Sequence, residues 1–548
     1  MELVCVAVLA AIAVWATVDH QRDDSPTLDE PFHVMAGAEY VRNGTYGLNL
    51  EHPPLVKLLA GAALAPLRLQ PPAPGARVPS PHPDYLQWLY RNSAPAHVIV
   101  QYGRRPMPLF LIALVFTVYA IGRAAWGSLA GLLAAALIAF EPNIVGHAGV
   151  VHTDVAAALF VTATLGLALG AIRHASLPLW AAAGLVLGLA FSAKFSAVLL
   201  VPVVLAAPLL KPSWRAFGGA ALAVVLGAAV LLGAYSFCMR RMQPAQAADA
   251  ALDFLRSRNA SPELLARQER LSTRFPALGH YAAGLTGVRL LDAGGRGANY
   301  LMGRVSSESF PAYFFVAFLV KSTPAILALA LLAATLGRRE LLSFWSLGLL
   351  LPAALFFAAA ARSHFNIGQR HIMPVYPLLA IVGSGVLANR LAARAIPLAA
   401  ALTLSSALSL WSAHPEELSY FNALAGPPER RGWWLSDSNI DWGQDLKRLG
   451  RELEARGWQE STTVVAYSGL ATTYFLPKVR VLDPARPIAP GRYAVSALIE
   501  AVGPEFVRTF EGDAAAAQVR ELVDRLHRSG RRIGRVGSSI TLWELPAA

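Results

Sequence analysis

Between residues 3 and 411 the chain alternates long apolar runs with short polar gaps, and this pattern predicts membrane helices. A bilayer core of about 30 Å needs roughly 20 apolar residues per crossing. Eleven stretches approach that length: Leu3 to Val18, Pro106 to Ile121, Leu129 to Val145, Val155 to Ile172, Leu177 to Phe191, Ser196 to Leu210, Phe217 to Phe237, Phe310 to Leu336, Leu341 to Ala361, Ile372 to Ala388 and Ala395 to Trp411. The first has no positively charged leader and is closely followed by an acidic motif, so it reads as a retained helix rather than a cleaved signal.

The gaps set the orientation. Every second gap is short and basic, holding Arg123, Arg173, Lys211 with Arg215, Arg338 with Arg339, and Arg390 with Arg394. Cytoplasmic loops retain Lys and Arg, so the N-terminus is expected in the cytoplasm of a multi-pass protein of the inner (plasma) membrane. Loops 19–105 and 238–309 then lie outside, as does the tail. Trp126, Trp180 and Trp214 fall at inner helix ends and Trp411 at an outer one, where interfacial aromatics collect. The expected organisation is a transmembrane module over residues 1–411 and an extracytoplasmic domain over 412–548. That tail is richer in charge, with a helix around Asp445 to Arg456 and strands near Thr462 to Ala466, Tyr493 to Ala497 and Ser538 to Glu544, the signature of a small α/β domain.

Composition agrees. Of 548 residues 55% are hydrophobic and only 15% charged, too little charge for a soluble protein of this size. The net charge of +12 comes without a Lys/Arg run or basic arm, so nucleic acid is not an expected partner. Cys5 and Cys238 both belong to apolar stretches, which excludes a disulfide framework and a Cys-based metal site. No internal repeat of the transporter kind is present.

Ionisable residues in or beside membrane helices are costly and read as functional. The first outer loop holds Asp29-Glu30-Pro31-Phe32-His33 and then Glu51-His52-Pro53-Pro54-Leu55-Val56-Lys57. His147 and His152-Thr153-Asp154 lie between the third and fourth stretches, Lys321 lies inside the eighth, and Arg362 to His371 precedes the tenth. Each has an ordinary alternative. Asp29 and Asp154 suit helix N-termini, and Lys321 could snorkel. The histidines lack metal-ligand spacing, which favours hydrogen bonding over metal. Together, two acids and several cations on one membrane face suit a general base for an acceptor hydroxyl and a cationic cradle for a departing phosphate. That chemistry is inverting glycosyl transfer. A flippase for a lipid-linked sugar is the alternative, but it needs polar residues along a path to the inner face.

The Asp29-Glu30 pair, the His52-Pro53-Pro54-Leu55 element with Lys57, the Asp154 loop, the run Asn366-Ile367-Gly368-Gln369-Arg370-His371 to Pro374-Val375-Tyr376-Pro377, and the segment Leu435 to Asp445 resemble the GT-C membrane glycosyltransferases. Within them the sequence is most similar to the bacterial phospholipid-carrier-dependent enzymes related to protein O-mannosyltransferases and aminoarabinose transferases, over about residues 1–446. The resemblance implies transfer of a sugar from a polyprenyl-phosphate donor on the extracytoplasmic face. It makes Asp29 the base, Glu30 its neighbour and Asp154 a second essential acid. Where aminoarabinose transferases commonly place a lysine before two prolines this chain has His52, so His52, Lys57, Lys321 and Arg370 are the candidates for the donor phosphate. His33, His152, Asn366, Gln369 and His371 are candidates for lining the substrate pocket. No metal site and no cofactor is assigned, a divalent cation staying open, and the acceptor is a lipid, glycan or protein.

Overall fold

A computed structural model of the protein describes residues 1–72, 83–295, 298–458, 463–467, 476, 479–483 and 486–547. All eleven apolar stretches are helical. Among the described residues six helices are long and apolar enough to cross a membrane: Glu2–Asp23, Ala96–Trp126, Asp154–His174, Trp214–Cys238, Phe344–Ala361 and Ala395–Ala413. Two stretches are broken. Ser128–Ala139 meets Pro142–Ala148 at 62°, and Tyr313–Lys321 meets Pro324–Leu336 at 114°. Pro142 and Pro324 each open the second member of their pair, where a ring that cannot donate an N–H is tolerated. Lys321, expected well inside one long helix, therefore sits at a corner. Leu177–Ala193 and Val375–Arg390 are shorter, and Phe195–Leu210 is divided by 3₁₀ turns.

The bundle packs around Val375–Arg390, nearly all of whose residues from Val375 to Leu387 are buried. Outward-facing positions stay apolar, among them Leu3, Val8, Trp15, Leu351, Leu404 and Trp411, as lipid contact requires. Glu2 marks one end of the bundle: its carboxylate accepts from Tyr119 Oη (2.5 Å), Ser128 Oγ (2.7 Å) and Arg123 Nε (2.9 Å). The other end carries most of the polar chain. There helix Glu30–Ala38 crosses Leu55–Ala63 through Gly37 and Gly61, so closely that a Cβ on either would stand 2.1 Å from a backbone oxygen of the other helix. Helices Pro244–Arg256, Pro262–Arg274 and Pro276–Gly294 lie between the spans, followed by the antiparallel hairpin of β1 (Asn299–Leu301) and β2 (Arg304–Ser306).

The tail is a five-stranded mixed sheet formed by β3 (Thr463–Ala466), β4 (Arg480–Val481), β5 (Gly491–Ser496), β6 (Arg531–Val536) and β7 (Ile540–Leu545), in the order β4-β3-β5-β7-β6. β3 pairs in parallel with β4 and β5, while β7 is antiparallel to β5 and β6. Alternation divides the core: Tyr493, Val495 and Trp543 pack with Leu522 and Leu526 of helix Asp513–Ser529, whereas Ala494 and Leu542 pack with Leu449 and Leu453 of helix Leu446–Ala455. The three expected strands and the expected helix are present to within two residues, with Thr462 outside the described residues. Ala497 begins the helix Ala497–Glu511 instead of ending a strand, because Ser496 caps it by accepting from Ile499 N.

Candidate active site

Asp29 and Glu30 are adjacent, yet their side chains diverge. Glu30 is fully buried and takes four bonds: Arg104 Nε (2.7 Å) and Nη2 (2.5 Å), Thr27 N (2.9 Å) and Val151 N (2.9 Å). It is a bracket between three segments, with no oxygen left over for an acceptor. Asp29 precedes helix Glu30–Ala38 but makes no side-chain cap bond, and its side chain keeps 31% of its exposure. Asp154 opens helix Asp154–His174, and its carboxylate accepts from the side chains of His152 and Lys194.

Asp154 is 1% exposed and is held by Lys194 Nζ (2.5 Å to Oδ1) and His152 Nδ1 (2.6 Å to Oδ2). Arg370 Nη1 lies 2.9 Å from His152 Nε2, 3.4 Å from Asp29 Oδ2 and 3.9 Å from Asp154 Oδ2. An arginine only donates, so Nε2 is the acceptor and the proton sits on Nδ1, pointing at Asp154. The chain Lys194, Asp154, His152, Arg370, Asp29 thus joins four segments into one network. Burial alone would raise the Asp29 carboxyl, but the charge of Arg370 outweighs it and holds the group below the usual carboxylate range.

Three histidines converge beside Asp29. His33, His52 and His152 have ring centroids 4.9, 5.1 and 5.4 Å apart, and each offers a ring nitrogen within 4.8 Å of the others. Burial, followed by the neighbouring rings and Lys57, pushes His33 and His52 well below the usual histidine value. They are therefore neutral, as metal ligands must be. However, Arg370 already engages Nε2 of His152 and brings a positive charge to the spot. A cation entering here has to displace it.

The structure separates the predicted phosphate ligands. Lys57 is enclosed, donating to Tyr40 Oη (2.9 Å), Asn49 O (2.6 Å) and His52 O (2.6 Å); burial pushes it down to about 7. Lys321 donates to Asn439 O (2.6 Å) and Leu418 O (3.2 Å) and lies 4.6 Å from the Phe421 ring. Both ammonium groups tie backbone segments together, and only Arg370 of the four candidates shares the Asp29 network through a charged group. Asn366 accepts from Phe310 N (2.6 Å), and Gln369 N donates to Asn439 Oδ1 (3.0 Å), so the loop carrying Arg370 is braced on both sides. His371 is in the same turn, and burial, then the charges of Lys194 and Arg370, push it well below the usual histidine value.

Lys194, Arg104 and Trp442 are additions that sequence reasoning missed. Lys194 did leave a signal, as a lone cation in the four-residue gap between Phe191 and Ser196.

The many-helix apolar bundle with its small C-terminal sheet has the GT-C fold of membrane glycosyltransferases. Residues 98–237 match the family model described as Dolichyl-phosphate-mannose-protein mannosyltransferase. The archaeal oligosaccharyltransferase AglB from Archaeoglobus fulgidus, solved with an inhibitory peptide and a dolichol-phosphate, aligns over 96% of this chain and 72% of its own at 14% identity, with a TM-score of 0.50. ArnT from Cupriavidus metallidurans bound to undecaprenyl phosphate aligns over 99% and 98% at 13% identity, with a TM-score of 0.49. No protein of curated function matches the sequence.

Proposed function

We propose that the protein is an inverting glycosyltransferase that moves a sugar from a polyprenyl-phosphate donor to an acceptor hydroxyl on the extracytoplasmic side of the membrane. The observation that carries this reading is the Asp29–Arg370 contact of 3.4 Å, in which a part-exposed carboxylate is paired with a guanidinium at the mouth of a polar network. The family model and the dolichol-phosphate held by the AglB fold relative support a lipid-phosphate donor. The basic alternate gaps support the extracytoplasmic placement.

In this reading Arg370 and Lys194, whose side chains are 7% and 14% exposed, receive the donor phosphate. Drawing Arg370 toward that anion loosens its hold on Asp29 and restores basicity to the carboxylate. Asp29 then takes the acceptor hydroxyl proton as the oxygen attacks the anomeric carbon. The bond from that carbon to the phosphate oxygen breaks on the opposite face, and the phosphate leaves as an anion neutralised by the two cations. The leaving phosphate needs no proton, so the second buried acid is free to orient His152 and Lys194. His33, His52 and His371, neutral at physiological pH, line the pocket without adding charge.

The test uses purified protein with the polyprenyl lipids that accompany it. Mass spectrometry should detect a glycosylated polyprenyl phosphate, and turnover should release polyprenyl phosphate and give a product whose anomeric configuration, read by NMR, is opposite to the donor's. Retained configuration overturns the inverting mechanism, and near-normal turnover by Asp29→Asn removes the base.

A further inference from the structure

The run Asp437 to Asp445 has no part in the chemistry above, yet it reaches the reacting groups. Trp442 is 5% exposed, and the Arg370 guanidinium lies 4.1 Å from its ring centroid. The His152 ring meets the same indole edge-on at 5.1 Å. The backbone of this run clasps the chain just before Asp29. Leu28 N donates to Trp442 O (2.9 Å), Ser25 N to Gln444 O (2.9 Å), Ser25 Oγ to Gly443 O (2.8 Å) and Leu446 N to Ser25 Oγ (3.0 Å). Gly443 turns the clasp with φ +98°, a left-handed conformation that favours glycine, and a Cβ there would stand 3.4 Å from Pro26 O.

The run's other side belongs to the sheet unit. Asp441 Oδ2 accepts from Leu498 N (3.2 Å), and Asp445 Oδ2 accepts from Ser539 N (3.1 Å) and Ser539 Oγ (2.8 Å). Asp445 also shares Arg448 with Asp24, at 2.5 and 2.7 Å. The α/β unit is thus hydrogen-bonded to a loop whose tryptophan touches two members of the Asp29 network.

We propose that Trp442 is a positioning residue for glycosyl transfer: it holds the face of the Arg370 guanidinium and the backbone beside Asp29 at once, so capture of the donor phosphate depends on docking of the C-terminal α/β unit. The inference rests on the assignment of Arg370 to the donor phosphate. A long, flexible arginine binds an anion better when its plane is already fixed, because less side-chain freedom is lost on binding. The indole supplies that fixation through a cation–π contact in a buried setting.

The experiment measures undecaprenyl phosphate affinity of the full-length protein in detergent micelles, by native mass spectrometry, for Trp442→Leu, Trp442→Phe, Arg370→Ala and the Trp442→Leu/Arg370→Ala pair. Trp442→Leu is expected to weaken binding by roughly 10- to 30-fold, and Trp442→Phe, which keeps an aromatic face, by less than about threefold. Once Arg370 is gone, Trp442→Leu should add less than about twofold, since the two act as a unit. An equal loss with and without Arg370, or no loss at all, overturns the positioning role. Unchanged affinity in Arg370→Ala overturns the phosphate assignment itself, and the inference with it. Gly443→Ala displaces the clasp without touching Arg370; it should also weaken binding, and decides the matter if Trp442→Leu does not fold, unchanged affinity then overturning the proposal.

Discussion

Asp29 and Arg370 are 341 positions apart and 3.4 Å apart, and their contact is made over His152, which touches both. The pairing keeps Asp29 ionised while holding it below its ordinary basicity. Arg370 is therefore the group whose movement would switch the carboxylate on.

Asp29→Asn should lower turnover by about 10²- to 10⁴-fold while leaving the melting temperature in detergent nearly unchanged, because the side chain is part-exposed and caps nothing. Glu30→Gln should behave in the opposite way. It leaves Arg104 buried opposite a neutral amide, a loss of about 3–5 kcal/mol that appears as lower melting temperature and yield. Normal stability in Glu30→Gln would show that the bracket is dispensable.

The pH profile carries a sign. The folded pKa of Asp29 is depressed, so the carboxyl is ionised throughout the range above the ordinary Asp value and takes up its proton only as pH falls through the lower folded value. Removing the guanidinium in Arg370→Gln should move the acid limb of the transfer rate toward higher pH. Rates measured from pH 4 to 8 check this, and an unmoved limb would assign it to another group.

The two buried lysines, Lys57 and Lys321, should separate from the two cations at the site, Lys194 and Arg370. Lys321→Met frees the carbonyls of Leu418 and Asn439, so it should lower stability while leaving donor affinity in the folded fraction intact. Lys194→Met should raise the donor KM. A donor-binding defect in Lys321→Met, with normal melting, would return Lys321 to the phosphate.

Divalent zinc should inhibit. Its route to His33, His52 and His152 passes through the Arg370–His152 bond, so micromolar zinc should compete with the donor and His52→Ala should relieve the inhibition. Stimulation by zinc, measured as transfer rate after chelator treatment, would make the three histidines a working metal site.

Orientation is open to labelling. In a protein lacking Cys5 and Cys238, single cysteines near Arg173 and Arg338 should resist a membrane-impermeant thiol reagent in intact cells, and ones near Ser257 and Gly512 should react. Reaction at the Arg338 gap would reverse the assignment.

Hydropathy alone located eleven apolar stretches that are all helical, because the bilayer demands long stretches free of charge, but it passed over the shorter apolar helix Leu55–Ala63 in the first outer loop; period-two alternation located three of the five tail strands. It also picked out Asp29, Asp154, Arg370 and the histidines, because charge beside membrane is costly and therefore conspicuous. Sequence could not show which of those charges were already spent. Lys57 and Lys321 look as available as Arg370 in a linear reading, and Glu30 looks the equal of Asp29. Only the fold turns three of these five groups onto backbone carbonyls, backbone amides or Arg104, and brings Lys194, Arg370 and Trp442 from distant segments to one place. The physical reason is that a long side chain's partner is set by tertiary packing, over separations at which local pattern carries no signal. The corner at Lys321 shows the same division: the run from Phe310 to Leu336 is apolar enough for one helix, but Pro324 and the bonds from Lys321 to Leu418 and Asn439 bend it into two.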